Sequence, residues 1–139
     1  MADPTEPPRL SPTLRCRDAE AMIRWLTGPV GFREHMVHRS EGVVAHAELS
    51  LGSSILMLGQ MRDDAYGALV GGPGGRRTDA LYLAVPDPDA LHDRLRDVGA
   101  TIESGLQDKP YGSRELLCRD PEGNLWCFGT YWPKAGGAA

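Results

Sequence analysis

The chain has 139 residues, 41% hydrophobic and 24% charged, a length and balance that fit a single folded core and exclude a disordered chain or two independent domains. A formal net charge of −4, with Arg76-Arg77 the one close basic pair outside helices, excludes the basic stripe that nucleic-acid phosphates require. No apolar run approaches the ~20 residues of a membrane span, and the start Met1-Ala2-Asp3-Pro4 lacks the basic and apolar regions of a secretory signal, so a cytoplasmic protein with neither nucleic-acid nor membrane partners is expected.

From the N-terminus, residues 1–10 are rich in proline and polar groups and read as a flexible tail. Thr13 to Asp18 reads as a strand ending in an aspartate. A helical pattern follows, with Ala19, Met22, Ile23 and Leu26 on one face. Three strand-like stretches come next, Phe32 to His38, Val43 to Leu51 and Ser54 to Gly59, the last pair joined by a Gly52-Ser53 turn. Residues 61–77, with Gly71-Gly72-Pro73-Gly74-Gly75, read as a mobile linker able to cover a cavity. No Gly-Lys-Ser/Thr follows these glycines, so they are not a phosphate-binding loop.

Beyond the linker the same order returns. Tyr82 to Asp87 is a strand ending in aspartate, and Leu91, Leu95 and Val98 mark a helix closed by Gly99. Thr101 to Glu103, Ser113 to Arg119 and Asn124 to Tyr131 read as strands, with a turn at Asp120-Pro121-Glu122-Gly123. Asp18 and Asp87 each stand where an N-cap side chain accepts hydrogen bonds from a helix's first free amides, and Pro88 suits the first helical position. Setting one over the other, an offset of 87 − 18 = 69 residues, also superimposes Leu14 on Leu83, Ala21 on Ala90 and Leu26 on Leu95. The chain therefore reads as two βαβββ modules, residues 11–60 and 78–132, followed by a flexible tail at 133–139.

Cys16, Cys118 and Cys127 are odd in number and have no Cys-x-x-Cys spacing, which fits reduced thiols better than disulfides or a zinc site. Nothing adjacent to Cys127 in sequence would lower its pKa and make it a nucleophile. His46, Glu48 and Ser50 alternate along one strand face, either into a cavity or toward solvent; His46 and Glu48 are spaced to act as an acid–base pair. Arg114 either clamps a ligand carboxylate with its planar fork or pairs with a nearby acid to hold its hairpin. Trp126 and Phe128 share one face of the last strand and Cys127 the other, the large rings being the better core residues. His35, His38 and His92 have charged neighbours and read as solvated histidines.

The phrases Arg17-Asp18-Ala19-Glu20-Ala21, His46 to Leu58, Tyr111-Gly112-Ser113-Arg114-Glu115 and Arg119-Asp120-Pro121-Glu122-Gly123-Asn124-Leu125-Trp126 together resemble the vicinal oxygen chelate superfamily, in its glyoxalase-like and bleomycin-resistance-like branches. The resemblance covers nearly the whole chain except its tails. It implies an α+β fold whose two βαβββ modules form a cup-shaped mixed sheet, and a homodimer. Metal-using members hold one divalent ion with side chains from the first and last strands of each module. The corresponding positions here are Ser11 or Pro12, Met57, Ala80 or Asp79, and Cys127, which do not supply the expected histidines and glutamate. No metal and no cofactor is therefore expected, and the resemblance points to a cavity for a small hydrophobic or aromatic ligand, as in antibiotic or secondary-metabolite binding. Its candidate lining residues are His46, Glu48, Met57, Tyr82, Tyr111, Arg114, Cys127 and Trp132. The alternative is a glyoxalase-like lyase or isomerase acting on a small oxygenated substrate.

Overall fold

A computed structural model describes residues 6–134 apart from Gly74. The chain is α+β, with two four-stranded mixed sheets. In the first module, β1 (Thr13–Cys16), α1 (Ala19–Trp25), β2 (Arg33–Ser40), β3 (Val43–Leu51) and β4 (Ser54–Gln60) give the order β1-β4-β3-β2. A short helix, α2 (Ala65–Val70), precedes the second module. There β5 (Leu81–Ala84), α3 (Pro88–Asp97), β6 (Thr101–Asp108), β7 (Arg114–Arg119) and β8 (Leu125–Gly129) give β5-β8-β7-β6. In each sheet the first and last strands of the module pair in parallel and the others antiparallel. Among the described residues no helix is long and apolar enough to cross a membrane.

Both expected caps form. Asp18 Oδ1 accepts from Ala21 N and Asp87 Oδ1 from Ala90 N, each at 3.1 Å, fixing where α1 and α3 begin. Past Trp25 the first helix widens into a π turn, Leu26–Val30, because Pro29 has no N–H to continue the α ladder. Gly31, at φ 96°, then turns the chain into β2 as a left-handed cap that a side chain would strain.

Within the linker the structure departs from the expected uniform loop. Asp64 accepts from Gly67 N at 2.7 Å and starts α2, while Arg15 reaches Asp64 at 3.3 Å and lies over the Tyr66 ring. The sixth strand runs on to Asp108, through the turn-like pair Ser104-Gly105, as an irregular edge of the sheet. Ser113, expected in the seventh strand, stands just before it. The expected loose ends at residues 1–5 and 135–139, and Gly74 of the linker, lie outside the described residues.

One core serves both modules. Met22, Ile23, Leu26, Leu49 and Leu58 of the first module and Leu91, Leu95, Leu116 and Phe128 of the second belong to a single buried apolar cluster. Trp126 joins them: Trp25 lies edge-on to it at 5.7 Å and Phe32 at 6.4 Å, with Phe128 stacked at 5.6 Å. Polar stitches follow the same seam. Glu122, buried in the β7–β8 turn, accepts from Arg17 N at 2.6 Å and Asp18 N at 3.0 Å, so the second module satisfies amides at the start of the first module's helix.

Candidate functional site

With Trp126 and Phe128 in the core, strand alternation sends Cys127 to the opposite face of β8. The sheet register then decides its company. Cys127 stands beside Tyr82 of β5 and Leu117 of β7, and two pairs further along, on the same face, Glu115 stands opposite Gly129. A Cβ on Gly129 would lie 2.6 Å from Tyr82 Oη and 2.7 Å from Glu115 Cγ, so glycine here is what lets those two side chains close over the strand. Tyr111, from the loop before β7, and Tyr131, just past β8, complete a cavity of ≈ 590 Å³ lined by Tyr82, Tyr111, Glu115, Cys127 and Tyr131.

The polar groups of this cavity are tied together. Tyr111 Oη donates to Glu115 Oε1 at 2.9 Å, and Cys127 Sγ donates to the same oxygen at 3.6 Å. Tyr82 Oη donates to the Tyr131 carbonyl at 2.6 Å, and Tyr131 N donates to Ser113 Oγ at 3.0 Å. Glu115 itself is only 8% exposed. Burial, then the Glu115 charge and the hydrogen bond to it, push the Cys127 thiol up to about 11. The bond to Glu115 also raises Tyr111, while Tyr82 is raised chiefly by burial. These shifts keep the thiol and the phenols protonated at neutral pH, as donors and apolar walls rather than nucleophiles.

Of the residues singled out in the sequence, Tyr82, Tyr111 and Cys127 come together here. His46, Glu48 and Met57 form a second cluster on the first module: His46 Nε2 lies 2.9 Å from Glu48 Oε2, and Met57 is Glu48's cross-strand partner. None of the three lines the tyrosine cavity. Arg114, one residue out of phase with Glu115, points to the face that α3 covers, where it holds Asp89 at 2.7 Å and Asp108 at 3.1 Å. Of its two readings, the geometry is that of the hairpin clasp. Trp132 lines a different groove, ≈ 610 Å³, with Val30, Ser53, Asp87 and Arg94. Glu115 and Tyr131 are absent from the candidate lining set, yet both belong to the cavity; the pairing of Cys127 with Leu117 is the signal that selects Glu115 over Arg114.

The residues present do not fit the divalent ion that metal-using members of the superfamily hold. Among the described residues no three His, Cys, Asp or Glu side chains converge as a metal site. Register sets Thr13 beside Met57 and Tyr82 beside Cys127, neither pair offering imidazole or carboxylate. Asp79, next to Ala80 in sequence, is held by Arg77 at 3.1 Å.

A family model described as the Glyoxalase/Bleomycin resistance protein/Dioxygenase superfamily matches residues 9–128. The protein Mb0911c of Mycobacterium bovis is 30% identical over 129 residues, covering 88% of this chain and 82% of that one. The crystal structure of TioX from Micromonospora sp. ML1 is similar with a TM-score of 0.74 and 31% identity, over 90% of this chain and 99% of that one. The fosfomycin resistance protein FosX from Mesorhizobium loti shares the fold, with a TM-score of 0.62 at 19% identity, over 90% of this chain and 92% of that one.

Proposed function

Because the chain belongs to the glyoxalase/bleomycin resistance protein/dioxygenase superfamily, we propose that it binds a small molecule with a hydrophobic or aromatic body, without a metal, on the tyrosine-walled face of its second module. The observation that carries this reading is the cavity of ≈ 590 Å³ bounded by three tyrosines and a thiol, apolar walls with few polar groups being the usual make-up of a ligand pocket. An antibiotic or secondary metabolite in the cytoplasm fits such a site, and the superfamily's FosX is a fosfomycin resistance protein. The three cysteines, all free, suit a reducing compartment.

The proposal includes a homodimer. Tyr82, Tyr111 and Tyr131 are exposed on the second module, and Met36 of β2 and Val43 of β3, the strand that carries the His46–Glu48 pair, are exposed on the first, so each module offers one wall. A two-fold pair of chains sets the first module's wall of one copy against the second module's wall of the other.

A second reading has its own observation. The His46–Glu48 pair, 2.9 Å apart and only part-buried, has the contact a proton-transferring dyad needs, which favours a lyase or isomerase acting on a small oxygenated substrate.

The test is elemental analysis of tag-free protein, sedimentation, and melting curves with chelator, with added divalent metals and with a panel of neutral aromatic compounds. Expected are a dimer, no stoichiometric metal, and a melting temperature raised by at least one aromatic compound, as ligand linkage to the native state requires. One metal per chain with a chelator-sensitive melt would sink the metal-free reading. Turnover of an α-keto aldehyde hemithioacetal that is lost in His46→Ala would establish the enzyme instead.

A further inference from the structure

The carboxylate in the tyrosine cavity poses a question that a purely apolar ligand leaves open. Glu115 is more than nine-tenths buried, and its hydrogen-bond donors, Tyr111 and Cys127, are both neutral. Lys109 is near enough to act on the Cys127 thiol, but its ammonium donates to Gln107 at 3.1 Å and is not in contact with Glu115. Among the described residues no ion pair is made to Glu115, so its desolvation is offset by neutral donors and a cation at longer range rather than by direct charge pairing.

What surrounds it has the opposite preference to an anion site. The Tyr82 and Tyr111 hydroxyls are engaged, with the Tyr131 carbonyl and with Glu115, so both residues stand as ring walls rather than as free donors. Tyr82 and Tyr131 lie 6.4 Å apart at 58°, two walls of an angular niche, and Tyr111 approaches from the start of β7, at the same end of the hairpin as Tyr131. No lysine or arginine is among the lining residues. Ring faces carry negative charge density, and an array of them around a carboxylate attracts a cation, most strongly one too diffuse to be well hydrated. Arg114, the guanidinium adjacent to Glu115 in sequence, is turned away and held by Asp89 and Asp108.

We propose that the Glu115–Tyr82–Tyr111–Tyr131 niche is a recognition site for an alkylated ammonium group, so that the ligand of this protein is a cationic amine with an apolar body. Electrostatics comes from Glu115, and the rings supply cation–π contact. The inference rests on the proposed reading of this face as a ligand site and narrows its ligand class.

The experiment uses the full chain and a matched pair of probes, choline and its uncharged isostere 3,3-dimethylbutan-1-ol, titrated by calorimetry and by ligand-observed NMR. Choline is expected to bind saturably and at least about tenfold more tightly than the isostere. Glu115→Gln should erase that preference. Tyr131→Leu, which removes an exposed ring, should weaken choline several-fold while leaving the isostere unchanged, and it keeps the test decisive if the glutamine variant melts. Equal binding of the two probes, no choline binding up to about 50 mM, or a preference that survives both substitutions would overturn the inference. If neutral aromatic compounds raise the melting temperature while choline gains nothing over its isostere, the cation inference fails and the proposed function stands.

Discussion

Cys127 shows how far a single neighbour sets a side chain's chemistry. Its thiol, half-buried beside Glu115, is raised to about 11 by burial first and by the carboxylate second. Cys16 and Cys118 are fully buried and raised to about 12 and about 11, again chiefly by burial. The three thiols should therefore resist iodoacetamide at pH 8, with Cys127 the first to react as pH rises toward 11, measured by peptide mapping. Glu115→Gln removes the second cause and leaves the first, so labelling of Cys127 at pH 9 should quicken. An unchanged pH profile would mean that burial alone holds the thiol. The same shifts have a sign for stability. A thiol whose folded value lies above its ordinary 9.0 binds its proton more tightly in the fold, so this contribution is complete below about 9 and is lost as pH climbs through 11 to 12.

Among the elements, the β7–β8 turn does the most with the fewest residues. Asp120, 5% exposed, accepts from Glu122 N at 2.8 Å, Asn124 N at 3.0 Å, Asn124 Nδ2 at 2.9 Å and Trp126 Nε1 at 2.8 Å. It thereby shapes the turn that presents Glu122 to the first module and fixes the indole on which both modules pack. Asp120→Ala leaves four donors without an acceptor, and a loss of about 3 kcal/mol or more in urea unfolding is expected, since each stranded buried donor costs on the order of 1–3 kcal/mol. A loss under about 1 kcal/mol would mean that water replaces the carboxylate.

That turn also marks what was legible in the sequence. Asp120-Pro121-Glu122-Gly123 is plain turn chemistry, and the two aspartate caps, α3, β3 and the order of both modules follow from local pattern. The short helix α2 was masked by the glycines around it, although Asp64 before Ala65 is a proper cap. The cavity was harder to read because Leu116 and Leu117 are both apolar, so alternation along β7 does not say whether Arg114 or Glu115 faces inward. The hairpin register answers that, since Leu117 pairs with Cys127 and Glu115 with Gly129. Register depends on how many residues the turn consumes, a property of the closed hairpin rather than of either strand.

At the scale of the molecule, two repeats joined by a glycine-rich linker suggest two units that unfold separately, but the packing argues otherwise. Leu95 of α3 is fully buried in the cluster that also contains Leu26 and Trp25, and Arg94 on the same helix donates to the Pro29 carbonyl at 2.9 Å. Each module thus covers apolar surface that the other would expose to water alone. Leu95→Ala should cost about 2–5 kcal/mol, the range for a buried leucine whose cavity cannot fully collapse. That loss should fall on both modules at once: hydrogen exchange in β3 and β4 should quicken by the same factor as in β7 and β8, and tryptophan fluorescence and far-UV circular dichroism should give coincident urea transitions at fixed protein concentration. Faster exchange confined to the second module would show two cores in contact rather than one core shared. The tyrosine cavity would then belong to a unit that can open by itself, whereas a shared core makes its geometry a property of the whole chain.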